Sequence, residues 1–184
     1  MPNLSLDAKI TEIARALEKA RVPYAFGGAI ALAYYAAPRG TEDIDINVFV
    51  KESRAGKCLK ALRRLGIADS STADNQATLL WEHTSIHLYY SYDPFHESCK
   101  ARARRVPFAD VEVSILSAED IVIFKTLYDR AKDRAEVREA LLCMGEHMDV
   151  AYTLGWLERL LGGEDERVIR FRDAAEALVD TRTA

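Results

Sequence analysis

Close to the N-terminus, Gly27-Gly28 is followed by Arg39, Thr41 and the acid pair of Asp43-Ile44-Asp45. These residue types suit a site for a cation and phosphates. Two carboxylates separated by one residue on an extended chain share a face, roughly 6 to 7 Å apart at Cα, and can hold one hard cation or bridge two. Magnesium fits such donors, because it prefers oxygen and is commonly held by one or two carboxylates plus substrate phosphates. Paired glycines leave amide N–H groups bare and permit close backbone approach, and the N-terminus of a following helix favours phosphate. Arg39 offers a fixed cation and Thr41 a hydroxyl, either for a triphosphate or for the carboxylates themselves. Taken singly, each piece also has a bland reading: a solvated strand face, a tight turn, a loop residue bonded to local backbone.

Local sequence supplies the elements that must position these groups. Val22-Pro23-Tyr24-Ala25-Phe26 reads as a brief strand that turns at Gly27-Gly28 into a short helix through Tyr35, ended by Pro38, which cannot continue its hydrogen bonds. From Asp43 to Val50 the chain alternates, with Ile44, Ile46, Val48 and Val50 on one face and Asp43, Asp45 and Asn47 on the other. Leu6, Ile10, Ile13 and Leu17 predict an amphipathic helix over the first twenty residues. Ser53 is expected to cap a helix to about Leu65, with Leu59 and Leu62 inward and Lys57, Lys60, Arg63 and Arg64 outward. Leu79–Glu82 and Ser85–Tyr90 read as a β-hairpin turning at His83-Thr84, and Val111–Ile115 as the last strand, with a loop from Tyr92 to Pro107 between them. Ser117 caps the next helix, and the pattern stays helical to the end, broken at Gly162-Gly163.

Gly27-Gly28 followed by Arg39-x-Thr41-x-Asp43-Ile44-Asp45 resembles the signature of the DNA polymerase beta-like nucleotidyltransferase superfamily. Further likeness lies in Tyr92-Asp93-Pro94-Phe95-His96, in Leu116-Ser117-Ala118-Glu119-Asp120, in Phe124-Lys125 and in Asp129-Arg130-x-Lys132-Asp133. These resemble a small stand-alone bacterial branch related to the abortive-infection toxin nucleotidyltransferases, over most of the chain. The resemblance implies an α+β fold: a nucleotidyltransferase-type mixed β-sheet flanked by helices over residues 1–116, then a helical C-terminal region over residues 117–184 packed on it. It implies Mg2+-dependent transfer of a nucleoside monophosphate from a nucleoside triphosphate to an acceptor hydroxyl, on an RNA end, a protein or a small molecule such as an aminoglycoside. Asp43 and Asp45 would act in catalysis and hold the metal; Gly27, Gly28, Arg39, Thr41 and Lys125 would bind the nucleotide. An antitoxin-like protein partner is implied in the same way.

Members of the superfamily usually carry a third carboxylate on a neighbouring strand, and in this chain His87 stands at that position. Histidine can take a proton from an attacking hydroxyl, since its ordinary pKa lies near neutrality, but it brings no negative charge to hold a second magnesium. His87 is therefore read as an altered or inactive replacement for a catalytic carboxylate, or as a satisfied strand histidine. The alternative is a catalytically silent nucleotide-binding or protein-interaction module of the same fold. Glu82 and Asp93 are nearby carboxylates that could substitute. His96 reads as a hydrogen bonder that orders its loop, and Asp129, Arg130, Lys132 and Asp133 as a helix-end ion-pair network. Lys100, Arg102, Arg104 and Arg105 form a basic cluster open to two readings, a solvated loop or a seat for a phosphate-bearing acceptor.

A chain of 184 residues that is 49% hydrophobic can bury a substantial core, and its formal charge of −4 argues against coating by nucleic acid. No run approaches the ~20 apolar residues of a membrane span, and Met1-Pro2-Asn3-Leu4 lacks the features of a signal peptide, so a cytoplasmic protein without membrane contact is expected. Cys58, Cys99 and Cys143 lack metal-ligand spacing and suit reduced thiols.

Overall fold

The computed structural model describes residues 4–183. They fall into two compact units: the chain up to Ile30 with Gly40–Leu116, and Ala31–Arg39 with the chain from Ser117 on. The fold is α+β.

The first unit is built on one mixed seven-stranded sheet, ordered β3-β4-β5-β2-β1-β7-β6. Its strands are β1 (Tyr24–Phe26), β2 (Ile44–Val48), β3 (Ala68–Ala73), β4 (Gln76–Trp81), β5 (Thr84–Tyr90), β6 (Arg104–Phe108) and β7 (Val111–Ile115). β2 runs antiparallel to β1 and parallel to β5, while β1 also pairs in parallel with β7. β2 is shorter than the expected Asp43–Val50: Ile44, Ile46 and Val48 are buried as expected, but Asn47 on the opposite face is buried as well, and Asp43 and the half-buried Val50 lie outside the strand. Buried aliphatic side chains of this kind stabilise by about 1.5–3 kcal/mol each. Helix α1 (Leu6–Lys19), capped by Ser5, buries Ile10, Ile13 and Leu17 and packs on β7 and on α3 (Gly56–Arg63). A 3-10 turn at Glu52–Arg54 precedes α3, so Ser53 lies inside that turn instead of capping the helix, and Leu59 is only half-buried beside buried Leu62.

Other expectations are also corrected. Helix α2 (Gly28–Leu32) ends well before Pro38, because Tyr34 and Tyr35 donate to the carbonyls of Ala31 and Leu32 and tighten the last turn. Glu82, in the left-handed region at φ 57°, makes the hairpin turn one residue earlier than expected. The segment read as a loop holds α4 (Pro94–Arg102) and β6. Asp93 caps α4 by accepting the His96 N–H at 2.9 Å, and Pro94 fills the first turn, where its missing N–H costs nothing. The basic cluster is thereby split between a helix and a strand, and Arg105 pairs with Glu18.

The second unit is helical: α5 (Ala118–Tyr128), α6 (Ala131–Met144), α7 (Val150–Leu161) and α8 (Glu166–Thr183). Ser117 caps α5 as read, accepting the Asp120 N–H at 3.2 Å. Asp129 ends that helix at φ 51°, and Gly162 ends α7 at φ 90°. α5 packs against α6, α7 and α8. Leu157 is fully buried, whereas Leu160 is exposed. No helix among the described residues is long and apolar enough to cross a membrane.

The cysteines are free thiols; Cys58 and Cys99 are buried and Cys143 is exposed. Burial pushes the Cys58 thiol up to about 12. A thiol reagent at pH 8 should therefore titrate Cys143 rapidly and the other two only after unfolding, which peptide mapping of the labelled protein checks.

Candidate functional site

The strand-to-turn junction of the first unit brings the glycines against the acids. β1 lies between β2 and β7, so the chain leaving Phe26 passes directly over the Asp45 end of β2, and the Gly27 N–H donates to the Asp45 carbonyl at 2.9 Å. Gly28 has φ 53°, and a Cβ there would stand 1.9 Å from Asp45 Oδ2. A Cβ on Gly27 would stand 2.9 Å from Nδ2 of buried Asn47. Gly28 thus requires glycine on both spatial and conformational grounds, whereas a side chain at Gly27 would have to displace the Asn47 amide. Asp45 and Asn47 face the turn together, as a strand period of two dictates.

Asp43 is the exposed residue just before β2, and Asp45 is half-buried. The Thr41 hydroxyl accepts the Asp43 N–H at 3.3 Å and donates to the Asp43 carbonyl at 3.2 Å, so its role in this structure is to shape the backbone that presents Asp43. Tyr89, which the sequence did not single out, points its hydroxyl at Asp45 Oδ1 at 3.3 Å. Its signal lay in the alternation of β5, which puts residue 89 on the same face as residue 87.

His87 stands directly opposite Asp45 in the parallel β2–β5 pair, and its Nδ1 lies 3.3 Å from Thr78 Oγ1. The possible substitutes for a third acid are engaged elsewhere. Glu82 pairs with Lys9 at 2.9 Å, and Asp93 caps α4 while accepting from Nδ1 of buried His96 at 2.9 Å. Among the described residues, no three His, Cys, Asp or Glu side chains are grouped to hold a metal ion. Asp45 is held against the turn and Asp43 is exposed two residues before it, a pair of oxygen donors of the type a hard cation takes together with phosphates and water. The helical share of an anion site is small, because α2 has five residues and carries little macrodipole.

Arg39 and Lys125 are brought together in the second unit, on a carboxylate that sequence reasoning missed. Arg39 Nε and Lys125 Nζ both donate to Glu136 of α6, and Lys125 also lies 3.7 Å from Asp133. Asp133 accepts the Arg130 backbone N–H at 3.2 Å and its guanidinium at 2.5 and 3.1 Å. Burial opposes ionisation of Glu136, but the Lys125 ammonium and then the Arg39 guanidinium hold its carboxyl below the usual range. Burial likewise opposes ionisation of Asp133, which Arg130 and Lys125 bring below its usual value. Asp129 accepts from Arg134 and Arg170, so the expected ion-pair network is present for Asp129, Arg130 and Asp133. The first-turn acids of α5 are buried: Asp120 accepts the Tyr152 hydroxyl at 2.8 Å, and Glu119 the Asp149 N–H at 3.1 Å.

The sheet sets an acid-bearing strand beside a Gly-Gly turn, and nucleotidyltransferases of known structure share this fold. Solved structures resemble it over most of their length. ANT(2")-Ia in complex with adenylyl-2"-tobramycin superposes with a TM-score of 0.67 at 17% identity, over 84% of this chain and 98% of that one. The lincosamide antibiotic adenylyltransferase LnuA, lincomycin-bound, gives 0.55 at 14% identity over 76% and 98% of the chains. An antigenic nucleotidyltransferase-like protein from Paracoccidioides brasiliensis gives 0.53 at 14% identity over 92% and 95%. No family model and no curated protein sequence matches the chain. At these identities the likeness establishes the fold, the one expected from the polymerase beta-like signature.

Proposed function

We propose that the chain is a nucleotidyltransferase that moves a nucleoside monophosphate from a nucleoside triphosphate to an acceptor hydroxyl. The observation that carries this reading is the fit of Gly28 against Asp45: a position that admits no side chain and adopts positive φ places bare backbone beside a carboxylate. Asp43 and Asp45 are the residues that would hold magnesium, which when bound supplies charge neutralisation on the phosphates. The Gly27-Gly28 turn seats the triphosphate, and Thr41 keeps the Asp43 backbone in place. The acceptor oxygen forms a bond to the α-phosphorus as the bond to the β-phosphate oxygen breaks, so that pyrophosphate leaves, and His87 takes the acceptor proton. No step is assigned to Arg39 or Lys125, whose charges are committed to Glu136. Among RNA, protein and small-molecule acceptors, the adenylyl-tobramycin and lincomycin complexes of the structural neighbours support a small hydroxylated molecule.

Incubation with α-phosphate-labelled nucleoside triphosphates, magnesium and a cell extract should transfer label to an acceptor, and Asp43→Ala should lower the rate at least 100-fold. The histidine opposite Asp45 favours a second reading, a module that binds nucleotide without turnover. In that case magnesium-nucleotide binding persists in calorimetry while transfer is absent from wild type. Absence of binding for all four common nucleoside triphosphates would sink both readings.

A further inference from the structure

Resting on that nucleotidyl-transfer reading, we infer that the site takes one divalent cation per chain, the one that arrives with the nucleotide, and that residue 87 sets this number. Two cations held side by side in a phosphoryl-transfer site sit roughly 3.5–4 Å apart and need a carboxylate that bridges them and a further anion for the second. In this chain the neighbour of Asp45 across the parallel pair is His87, a group without negative charge when neutral and a donor at both nitrogens when protonated. Its Nδ1 is engaged with Thr78 Oγ1, which fixes the ring on the sheet face. Asp45 is itself restrained, with Oδ1 facing the Tyr89 hydroxyl at 3.3 Å and Oδ2 packed against the Gly28 backbone. Glu82 and Asp93 are turned to Lys9 and His96, and no described acid completes a set of three. The donors present, Asp43 and Asp45, suffice for one hard cation that completes its shell with phosphates and water.

The count of cations tests this directly and without turnover. Equilibrium dialysis against Mg2+ and a non-hydrolysable α,β-methylene analogue of ATP, with metal and nucleotide measured independently, should give one Mg2+ per bound nucleotide in wild type. His87→Asp should give two, since it places a carboxylate beside Asp45, and His87→Asn should stay at one, since it removes the ring without adding charge. Two Mg2+ per nucleotide in wild type overturns the inference, whatever the variants do. One Mg2+ in folded His87→Asp, or two in His87→Asn, overturns the role of residue 87. Binding of neither nucleotide nor metal by wild type overturns the nucleotidyl-transfer reading itself, and this inference with it.

Discussion

Gly28→Ala should abolish nucleotide transfer, lowering kcat/KM by 100-fold or more, while the protein stays folded. The added Cβ meets Asp45 Oδ2 at 1.9 Å and Asp45 Cβ at 3.2 Å, on a backbone already at φ 53°. Left-handed backbone costs an L-residue about 1–2 kcal/mol, and overpacking adds about 1–3 kcal/mol, a loss that melting should register without unfolding the sheet. The functional loss is larger, because the overlap is removed only if the Asp45 carboxylate swings away or the turn lifts from β2. Either movement displaces a group that must sit beside the reacting phosphates, and misplacement by about 1 Å can cost about 100-fold. Gly40→Ala and Gly56→Ala are the controls, since a Cβ at either meets nothing within 4 Å. Gly27→Ala should fall between, because its 2.9 Å contact is with the end of the Asn47 side chain. Steady-state transfer of labelled nucleotide, measured beside melting temperature for all four, checks the order. Activity of Gly28→Ala within a few-fold of the controls would show that the Gly28–Asp45 contact is not part of the machinery.

What could be read in the chain and what could not divides along a physical line. The strand carrying Asp45 was legible because burial of Ile44, Ile46 and Val48 writes a period of two into the sequence. The Ser117 cap was legible because its hydroxyl acts on a neighbour three residues on. β3 left no such trace: Ala68–Ala73 is an edge strand, exposed along its whole length, and owes its existence to pairing with β4. Helix α4 carries a local signal in Asp93-Pro94, its cap and first turn, which the polar and basic residues around it obscure. Within the site, Gly28 and Asp45 were legible as types, yet the reason Gly28 must be glycine lies in a contact between residues far apart in sequence. Glu136 was not legible at all. A glutamate on a mixed-charge helix looks solvated until the fold sets Lys125 and Arg39 on it, and that convergence is tertiary.

Glu136→Ala should be the most destabilising single change to charge in the second unit, costing about 3–5 kcal/mol, the range for breaking a buried ion pair by removing one partner. Lys125 is 6% exposed and Asp133 0%; without Glu136 the ammonium keeps only the 3.7 Å contact to a carboxylate already taken by Arg130. Arg39→Ala should cost about 1 kcal/mol or less, because its side chain is 41% exposed and water replaces the lost bond. Glu136→Gln separates charge from shape, and pH then supplies the decisive readout. Both Glu136 and Asp133 titrate below their ordinary values in the fold. Their stabilisation is therefore fully present above the ordinary carboxylate value near 4 and is lost as pH falls below it through the lowered folded-state values. Urea unfolding should show a wide gap between wild type and Glu136→Gln at pH 7 that narrows from about pH 5 to pH 3, because protonation removes from wild type the charge that the variant lacks. A gap that stays constant over that range would mean that Glu136 acts through packing and not through its charge on Lys125 and Arg39.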